Sequence, residues 1–465
     1  MDENWVGQEF LTVYFGDARV DERGKKILAF FGNTPGESIS KVFKVWSEIK
    51  ACYRFFDNAR VEPEKILSPH SVATIKRIKT FPIVLMPTDT TSGDYTGKSS
   101  IEGLGRLSSN QHGDNLGIFV HPTLAVTPER LCLGVVGAKI WTREIEKSKL
   151  SKQKKKNRPI EEKEIYRWIE SYDLACDVAE QAPNTQIISI TDREGDFTDL
   201  FEEVLKRKEG DQKSADVIVR SCQDRCLEEK DPETEKSIKL RRALHTSPKL
   251  GEIEFILPAI QGRKQRVVKQ TIKAKTIIFR GTKNRKIKIN AVMAIEENPP
   301  ECEKGLFWIF LTTLPIGNFE EAVKVIDYYL CRWEIEIFNK ILKSGCKIEE
   351  KQLQTGDRLK NFIALFLIVA WRIQYLMMLG RTCPSISSGD LFEECEWKSV
   401  FKIVNRNEPI PAEPPPLKDF IRMIAMLGGY IGRNNDPPPG PKVMWKGLTR
   451  MSDFAMAWEV FMESG

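Results

Sequence analysis

The 465-residue sequence predicts an α/β domain with a β-rich insertion, flanked by an N-terminal and a C-terminal helical domain. Three observations predict it. Short apolar runs at 82–89 (PIVLMPTD) and 185–192 (TQIISITD) each close on an acid, as buried strands of an open sheet do at their carboxyl edge, and helical periodicity fills much of the chain around them. Residues 221 to about 305 are instead charged, turn-rich and β-leaning, which marks an insertion. Pro-rich stretches at 409–416 (PIPAEPPP) and 436–441 (DPPPGP) then set off a smaller helical part. The expected domains are 1–72, 73–380 and 381–465, in line with about 150 residues per domain.

In chain order, VDERGKKILAFFGN (20–33) has helical spacing, and a second helix is expected from about Ile39 to Phe56. These helices fit a small bundle packed on its neighbour. They fit equally a DNA-reading head, because Arg19, Arg23, Lys25, Lys26, Lys41, Lys44 and Arg54 sit on them, although no clean helix-turn-helix is visible. GIFVHPTLAV (117–126) and LCLGVVGAKIW (131–141) read as paired strands, followed by a basic loop and a helix over 161–181. The strand ending in Asp192 leads through a turn into a helix that Asp196 is placed to cap. ADVIVRS (215–221) is another strand; TIKAKTIIFRG (271–281) and KIKINAVMAI (286–295) are strands of the insertion. LFWIFLTTL (306–314) resumes the main pattern. The most apolar run, Phe362 to Trp371, falls short of the roughly 20 residues needed to cross a bilayer and reads as a buried helix.

Composition is that of a globular protein, 41% hydrophobic and 29% charged, and a net charge of +6 is too small to argue nucleic-acid binding by itself. Its distribution says more. Seven basic residues and no acid lie between Lys147 and Arg158, and eleven basic residues and no acid between Arg263 and Lys288. Such blocks fit solvated loops or a polyanion partner. Ten scattered cysteines without a paired framework, and no secretory signal pattern, point to a reducing cytoplasm. Cys222 and Cys226 form a CxxxC with no further pair at zinc spacing. The four histidines, His70, His112, His121 and His245, read as structural or exposed, and no GxSxG, GxxxxGK[ST] or strand-borne GxGxxG is present.

The candidate chemistry lies on IDYYLCRWEIEIFNKILK (326–343), read as one helix. At about 100° per residue, Tyr329, Arg332, Glu336, Lys340 and Lys343 share an arc of about 80°, with Ile326, Ile335 and Leu342 elsewhere. A solvated face with Glu336/Lys340 support explains such a stripe. A carboxylate among cations, beside Tyr329 and Trp333, also suits a metal ion held against a phosphodiester. Asp89 and Asp192 at strand ends add two more carboxylates, and in open α/β sheets such groups converge on one crevice. Three carboxylates together repel unless a cation neutralises them, and hard oxygen donors select Mg²⁺ or Mn²⁺.

At these residues the sequence resembles a known family. Tyr329-(2)-Arg332-(3)-Glu336-(6)-Lys343 is similar to the YREK signature of the insertion-sequence-four family of bacterial DDE transposases. DTTS (89–92) and TDREGD (191–196) are similar to its two acidic motifs, with smaller echoes in GDAR (16–19), YRFF (53–56), Arg220-Ser221 and GGY (428–430). The resemblance implies a ribonuclease-H-like catalytic domain in which Asp89, Asp192 and Glu336 are catalytic metal ligands for Mg²⁺, with Mn²⁺ able to substitute and two ions per site. It implies that Tyr329, Arg332, Lys340 and Lys343 contact phosphates near the transposon end and that Trp308 captures a flipped base. For Trp308 burial in its strand is the alternative, and Trp333 stacks or packs in the same way. Arg220, Arg19 and Arg54 are further DNA-binding candidates, while Asp94 and Glu194 stand as bystanders, supporting groups or substitute ligands. The implied protein is a cut-and-paste DNA transposase of the bacterial cytoplasm. It would bind transposon ends through its N-terminal domain, dimerise through its C-terminal domain, and join the cut ends to target DNA after a hairpin intermediate. Two alternatives stay open: a related metal-dependent nuclease without strand transfer, and a domesticated, catalytically inactive DNA-binding protein.

Overall fold

The structure is a computed structural model that describes residues 5–43, 45–98, 100–108, 115–143, 158–230, 235–259, 264–282, 284–301, 303–433 and 436–463. His112, Lys44 and all of the basic loop except Arg158 lie outside the described residues. The strands in chain order are β1 (Ile83–Pro87), β2 (Thr91–Asp94), β3 (Gly105–Arg106), β4 (Leu116–Val126), β5 (Cys132–Trp141), β6 (Gln186–Thr191), β7 (Asp216–Arg220), β8 (Cys226–Lys230), β9 (Ser237–Lys239), β10 (Lys249–Leu257), β11 (Arg266–Arg280), β12 (Lys286–Ile295) and β13 (Phe307–Thr312). Contacts divide the chain into a larger unit (Met1–Thr80, Thr90–Asn157, Glu334–Gly465) and a smaller one (Phe81–Asp89, Arg158–Trp333).

The smaller unit is a mixed α/β structure in which β10, β11, β12, β13, β7, β6 and β1 pair in that order. β1, β6 and β7 are parallel, with Leu85 beside Ile188 and Ile190 beside Ile218. Such strands are buried on both faces, which is why they read as nearly unbroken apolar runs. Leu85, Ile188, Ile190, Ile218 and Phe310 form one core with Ala322, Val325, Ile326 and Tyr329 of the helix Phe319–Leu330. Each fully buried aliphatic or aromatic side chain there contributes about 1.5–3 kcal/mol. Asn318 starts that helix by accepting a hydrogen bond from Glu321 N at 2.9 Å. The helix expected over 161–181 opens as two 3₁₀ turns and becomes α-helical only over Arg167–Gln181, where Trp168, Tyr172, Ala175 and Ala179 are buried.

The insertion is β-rich, as its composition predicts, but its basic block is not a bare polycationic surface. Lys275 pairs with Glu229 (2.6 Å), Arg280 and Lys286 with Glu228 (3.0 and 2.9 Å), Lys269 with Glu254 (3.7 Å) and Arg266 with Glu303 (2.7 Å). Arg266 also pairs with Glu296, and Arg285 with Glu209. Glu254, Glu296 and Glu303 flank the block, but Glu209, Glu228 and Glu229 come from a helix and a strand more than 30 residues earlier in the chain.

In the larger unit β4 pairs antiparallel with β5, β2 and β3. The expected helix from Ile39 to Phe56 is broken into Ile39–Val42 and Trp46–Phe56. Phe43, at the break, is extended (φ −104°, ψ 113°) and buried edge-on to Phe30 and Phe31, with ring centroids 5.0 and 6.2 Å apart, so tertiary burial overrides helical propensity. The helix Pro63–Ile78 crosses the position at which the N-terminal domain was expected to end. Its His70 is buried. The ring Nδ1 faces Glu9 Oε2 at 2.5 Å, and Val135 N donates to Nε2 at 3.0 Å, so the imidazole is the Nδ1–H tautomer. Arg77 Nη1 and Nη2 donate to the same Glu9 at 2.6 and 3.1 Å. The helix Gly356–Thr382 is long and apolar enough to cross a membrane, but 94% of its most apolar window is buried inside the protein, as in a core helix. After it come the helices Glu394–Val404, Leu417–Leu427 and Pro441–Glu463, separated at the Pro-rich stretches.

Candidate active site

Asp89 and Asp192 are placed by the register of two adjacent strands. Pro87 pairs with Ile190, and Thr88 N donates to Ile190 O at 3.1 Å, so each acid lies two residues past a paired position at the same carboxyl edge. Neighbouring backbones there are about 4.8 Å apart. Asp192 caps the 3₁₀ turn Arg193–Gly195, its Oδ1 accepting from Glu194 N at 2.8 Å. Asp89 is half-buried, with Oδ2 3.7 Å from Arg332 Nη1. The pairing of Thr191 with Val219 puts Arg220 one step on, level with Asp192, and Arg220 pairs with Phe310 across to β13. β13 runs the other way, so Trp308, two residues before Phe310, faces the same edge of the sheet. Trp308 is half-buried, packed on the core cluster and tilted at 54° to Phe310 with centroids 6.4 Å apart.

Tyr329 completes this edge of the smaller unit. Its ring centroid is 4.6 Å from Phe310 and 5.8 Å from the Arg332 guanidinium. Burial holds its phenol above the usual range, opposed by the cations of Arg332 and Arg220. The smaller unit therefore gathers Asp89, Asp192, Arg220, Trp308, Tyr329 and Arg332; Trp333, 56% exposed, is its last residue. Two aspartates among guanidinium groups are the hard-oxygen donors that fit a divalent cation beside a phosphate.

The polar stripe is not one helix. The helix Phe319–Leu330 ends at Cys331, where Cys331 N and Arg332 N bond three residues back, to Tyr328 O (3.1 Å) and Tyr329 O (2.9 Å). A second helix, Trp333–Lys340, follows, and Ile341–Gly345 is a π turn closed by Cys346 N to Ile341 O at 2.8 Å. The 3₁₀ tightening overwinds the chain and the π turn underwinds it, so a constant 100° step does not hold from Tyr329 to Lys343. Glu336, Lys340 and Lys343 belong to the larger unit. Glu336 is half-buried in the first turn of its helix, Lys340 is exposed, and Lys343 pairs with Glu349 at 3.1 Å. Ile326, Ile335 and Leu342 are buried, as their separate faces predict.

Other candidates resolve individually. Asp94 accepts from Thr96 N at 2.8 Å, and hydrogen bonds from Thr96, with the Lys343 charge, hold its carboxyl below the usual range. Glu194 pairs with Arg167. Arg19 is exposed and paired with Asp17 at 3.1 Å, and Arg54 is exposed in the last turn of its helix. Asp196 does not cap the following helix, whose N-cap is Phe197; its carboxylate is turned toward residues 221–225 instead. Missed by the sequence reading were Glu349, which holds Lys343, and the bond between His121 Nδ1 and Thr90 Oγ1 at 2.8 Å. The His-Pro pair inside an apolar strand was the only local sign of the latter.

Glu393, Cys395 and Glu459 have potential ligand atoms within 4.8 Å of one another. Burial first, and the acid of Glu459 next, push the Cys395 thiol up to about 12.

Family models account for most of the chain. A transposase DNA-binding model matches residues 2–61, a transposase DDE domain residues 141–372 and a transposase Tn5 dimerisation domain residues 368–460. The chain belongs to the Tn5-type DDE transposases. The DDE match contains Asp192, Arg220, Trp308, the stripe from Tyr329 to Lys343 and therefore Glu336; Asp89 lies upstream of it. The α/β unit with its β insertion, and the helical regions at both ends, agree with a ribonuclease-H-like DDE domain. This transposase binds DNA and forms a homodimer, and DDE domains act with divalent metal ions.

Proposed function

We propose that this transposase is an insertion-sequence-four member that moves its element by cut and paste. The observation that carries the reading is the level placement of Asp89 and Asp192 at one sheet edge with Arg220 and Arg332 beside them. In this reading Asp89, Asp192 and Glu336 hold Mg²⁺, replaceable by Mn²⁺, at two ions per site. Divalent ions supply activation of the attacking oxygen and stabilisation of the leaving one. Arg332, Lys340, Lys343 and the Tyr329 hydroxyl orient the DNA backbone, with Arg220 alongside, and Trp308 and Trp333 offer stacking faces. Water nicks one strand at the element end, the freed 3′-hydroxyl attacks the opposite strand to form a hairpin, and the reopened end is joined to target DNA. Residues 1–72, including Arg19 and Arg54, read the element end; 73–380 carry the chemistry and 381–465 dimerise. We place the protein in the bacterial cytoplasm, on the nucleoid when bound.

The test is Glu336→Gln. It should bind element-end DNA like the wild type and lose Mg²⁺-dependent cleavage. Cleavage at a wild-type rate by that variant refutes the assignment. Hairpin and strand-transfer products on a plasmid target separate a transposase from a nuclease that only cuts.

A further inference from the structure

The second acidic motif ends in an acid that the chemistry above does not use. Asp196 is buried, and its side chain is closed to solvent. Oδ2 accepts from three donors in succession: Ser221 Oγ at 3.0 Å, Cys222 N at 2.7 Å and Gln223 N at 2.8 Å. Gln223 Nε2 returns a bond to Asp196 O at 2.5 Å, and Cys222 Sγ donates to Arg193 O at 3.5 Å. Arg225 forms an ion pair with Asp196, and its guanidinium lies between Phe201 and Phe279, 5.1 and 5.0 Å from the ring centroids. Successive backbone N–H groups of this kind make an anion-binding nest. Here the chain fills the nest with its own carboxylate.

The position of this cluster gives it a consequence. Asp196 is four residues beyond Asp192, and its donors begin one residue beyond Arg220, with the Ser221 hydroxyl, and continue with the N–H groups of Cys222 and Gln223. The two loops leave the carboxyl ends of neighbouring parallel strands. Bonds across them therefore fix the spacing between Asp192 and Arg220, and Arg220 in turn faces Tyr329. We propose that Asp196 is a positioning residue that clamps the Arg220 strand end to the Asp192 turn and so sets the geometry of the cleavage site. The proposal rests on the transposase reading for its catalytic consequence and on the hydrogen bonds alone for the clamp. Asparagine at this position keeps one acceptor but presents an NH₂ to N–H donors and loses the charge facing Arg225, whereas glutamate keeps the charge on a longer arm.

The experiment compares full-length wild type, Asp196→Asn and Asp196→Glu, with Glu9→Gln in the larger unit as a variant destabilised away from the clamp. Two readouts are taken: amide hydrogen exchange over residues 190–226, and single-turnover cleavage of element-end DNA in Mg²⁺ at saturating DNA. Asp196→Asn should bind that DNA within about twofold of wild type, lose exchange protection at 191–196 and 220–224, and cleave at least tenfold more slowly. Asp196→Glu should recover part of both losses. The proposal is overturned if Asp196→Asn keeps wild-type protection in those loops, or if its cleavage falls no further than that of Glu9→Gln at a matched fall in melting temperature. A wild type that does not cleave counts against the transposase reading, and the exchange data then decide the clamp alone.

Discussion

The Glu9–His70–Arg77 network allows a worked prediction. Glu9 is 2% exposed and accepts hydrogen bonds from Arg77 at 2.6 and 3.1 Å and from the His70 ring at 2.5 Å. Glu9→Gln leaves one acceptor oxygen and turns an NH₂ toward groups that are themselves donors. Removing one partner of a buried pair costs about 3–5 kcal/mol. Arg77 is 22% exposed and recovers part of its hydration, so the lower end, about 3 kcal/mol, applies. At about 2.1 cal/mol/K of unfolding entropy per residue, that is a fall in melting temperature of about 3 °C for the 465-residue chain. The pH dependence follows from the same groups. Burial lowers the His70 pKa, and the Val135 N–H that donates to its Nε2 requires the neutral ring, so the folded state binds fewer protons there than the unfolded state. For Glu9, burial raises the carboxyl, but His70 and Arg77 together outweigh it and the net shift is downward. Both contributions are present above the ordinary pKa of each group and are lost as pH falls, from about 6.5 for the histidine and about 4.3 for the glutamate. Scanning calorimetry at pH 5 to 8 measures this. A Glu9→Gln melting temperature within about 1 °C of wild type, or a wild type that gains stability between pH 7 and 5, refutes the reasoning.

Two further outcomes are expected. If Trp308 captures a flipped base, Trp308→Ala slows hairpin formation more than the first nick, resolved by gel assay of each product; equal slowing refutes the stacking role. Burial pushes the Lys351 amine down to about 8, among Phe31, Phe362 and Phe366 at 5.5–6.0 Å. A lowered amine pKa opposes folding below about pH 8, and the cost disappears toward the free value near 10.4. Lys351→Met should therefore gain melting temperature relative to wild type at pH 7 compared with pH 10. A difference unchanged across that range counts against the assignment.

Much of this protein was legible locally. A run such as PIVLMPTD carries its burial and its terminal acid in eight consecutive residues, and the parallel strands around it are apolar enough to read directly. The β insertion and the Pro-bounded C-terminal helices were legible for the same reason. What failed had partners distant in sequence. The cations of 263–288 look unopposed because Glu209, Glu228 and Glu229 lie outside the block. The break at Phe43 follows from rings on another helix.

The sequence by itself determined which side chains are candidates for the chemistry: two strand-end aspartates, and Glu336 in a spaced stripe of tyrosine and cations. These follow from residue type and short-range periodicity. Tertiary structure alone decided their setting. Strand register made Asp89, Asp192 and Arg220 level. A 3₁₀ tightening and a π turn divided the stripe that a uniform helix would have aligned. Asp196 became a clamp rather than a helix cap because its donors lie 25 to 27 residues along the chain. Hydrogen bonds between loops select geometry that no local pattern encodes, since each partner's identity is compatible with many others until the sheet brings the two together.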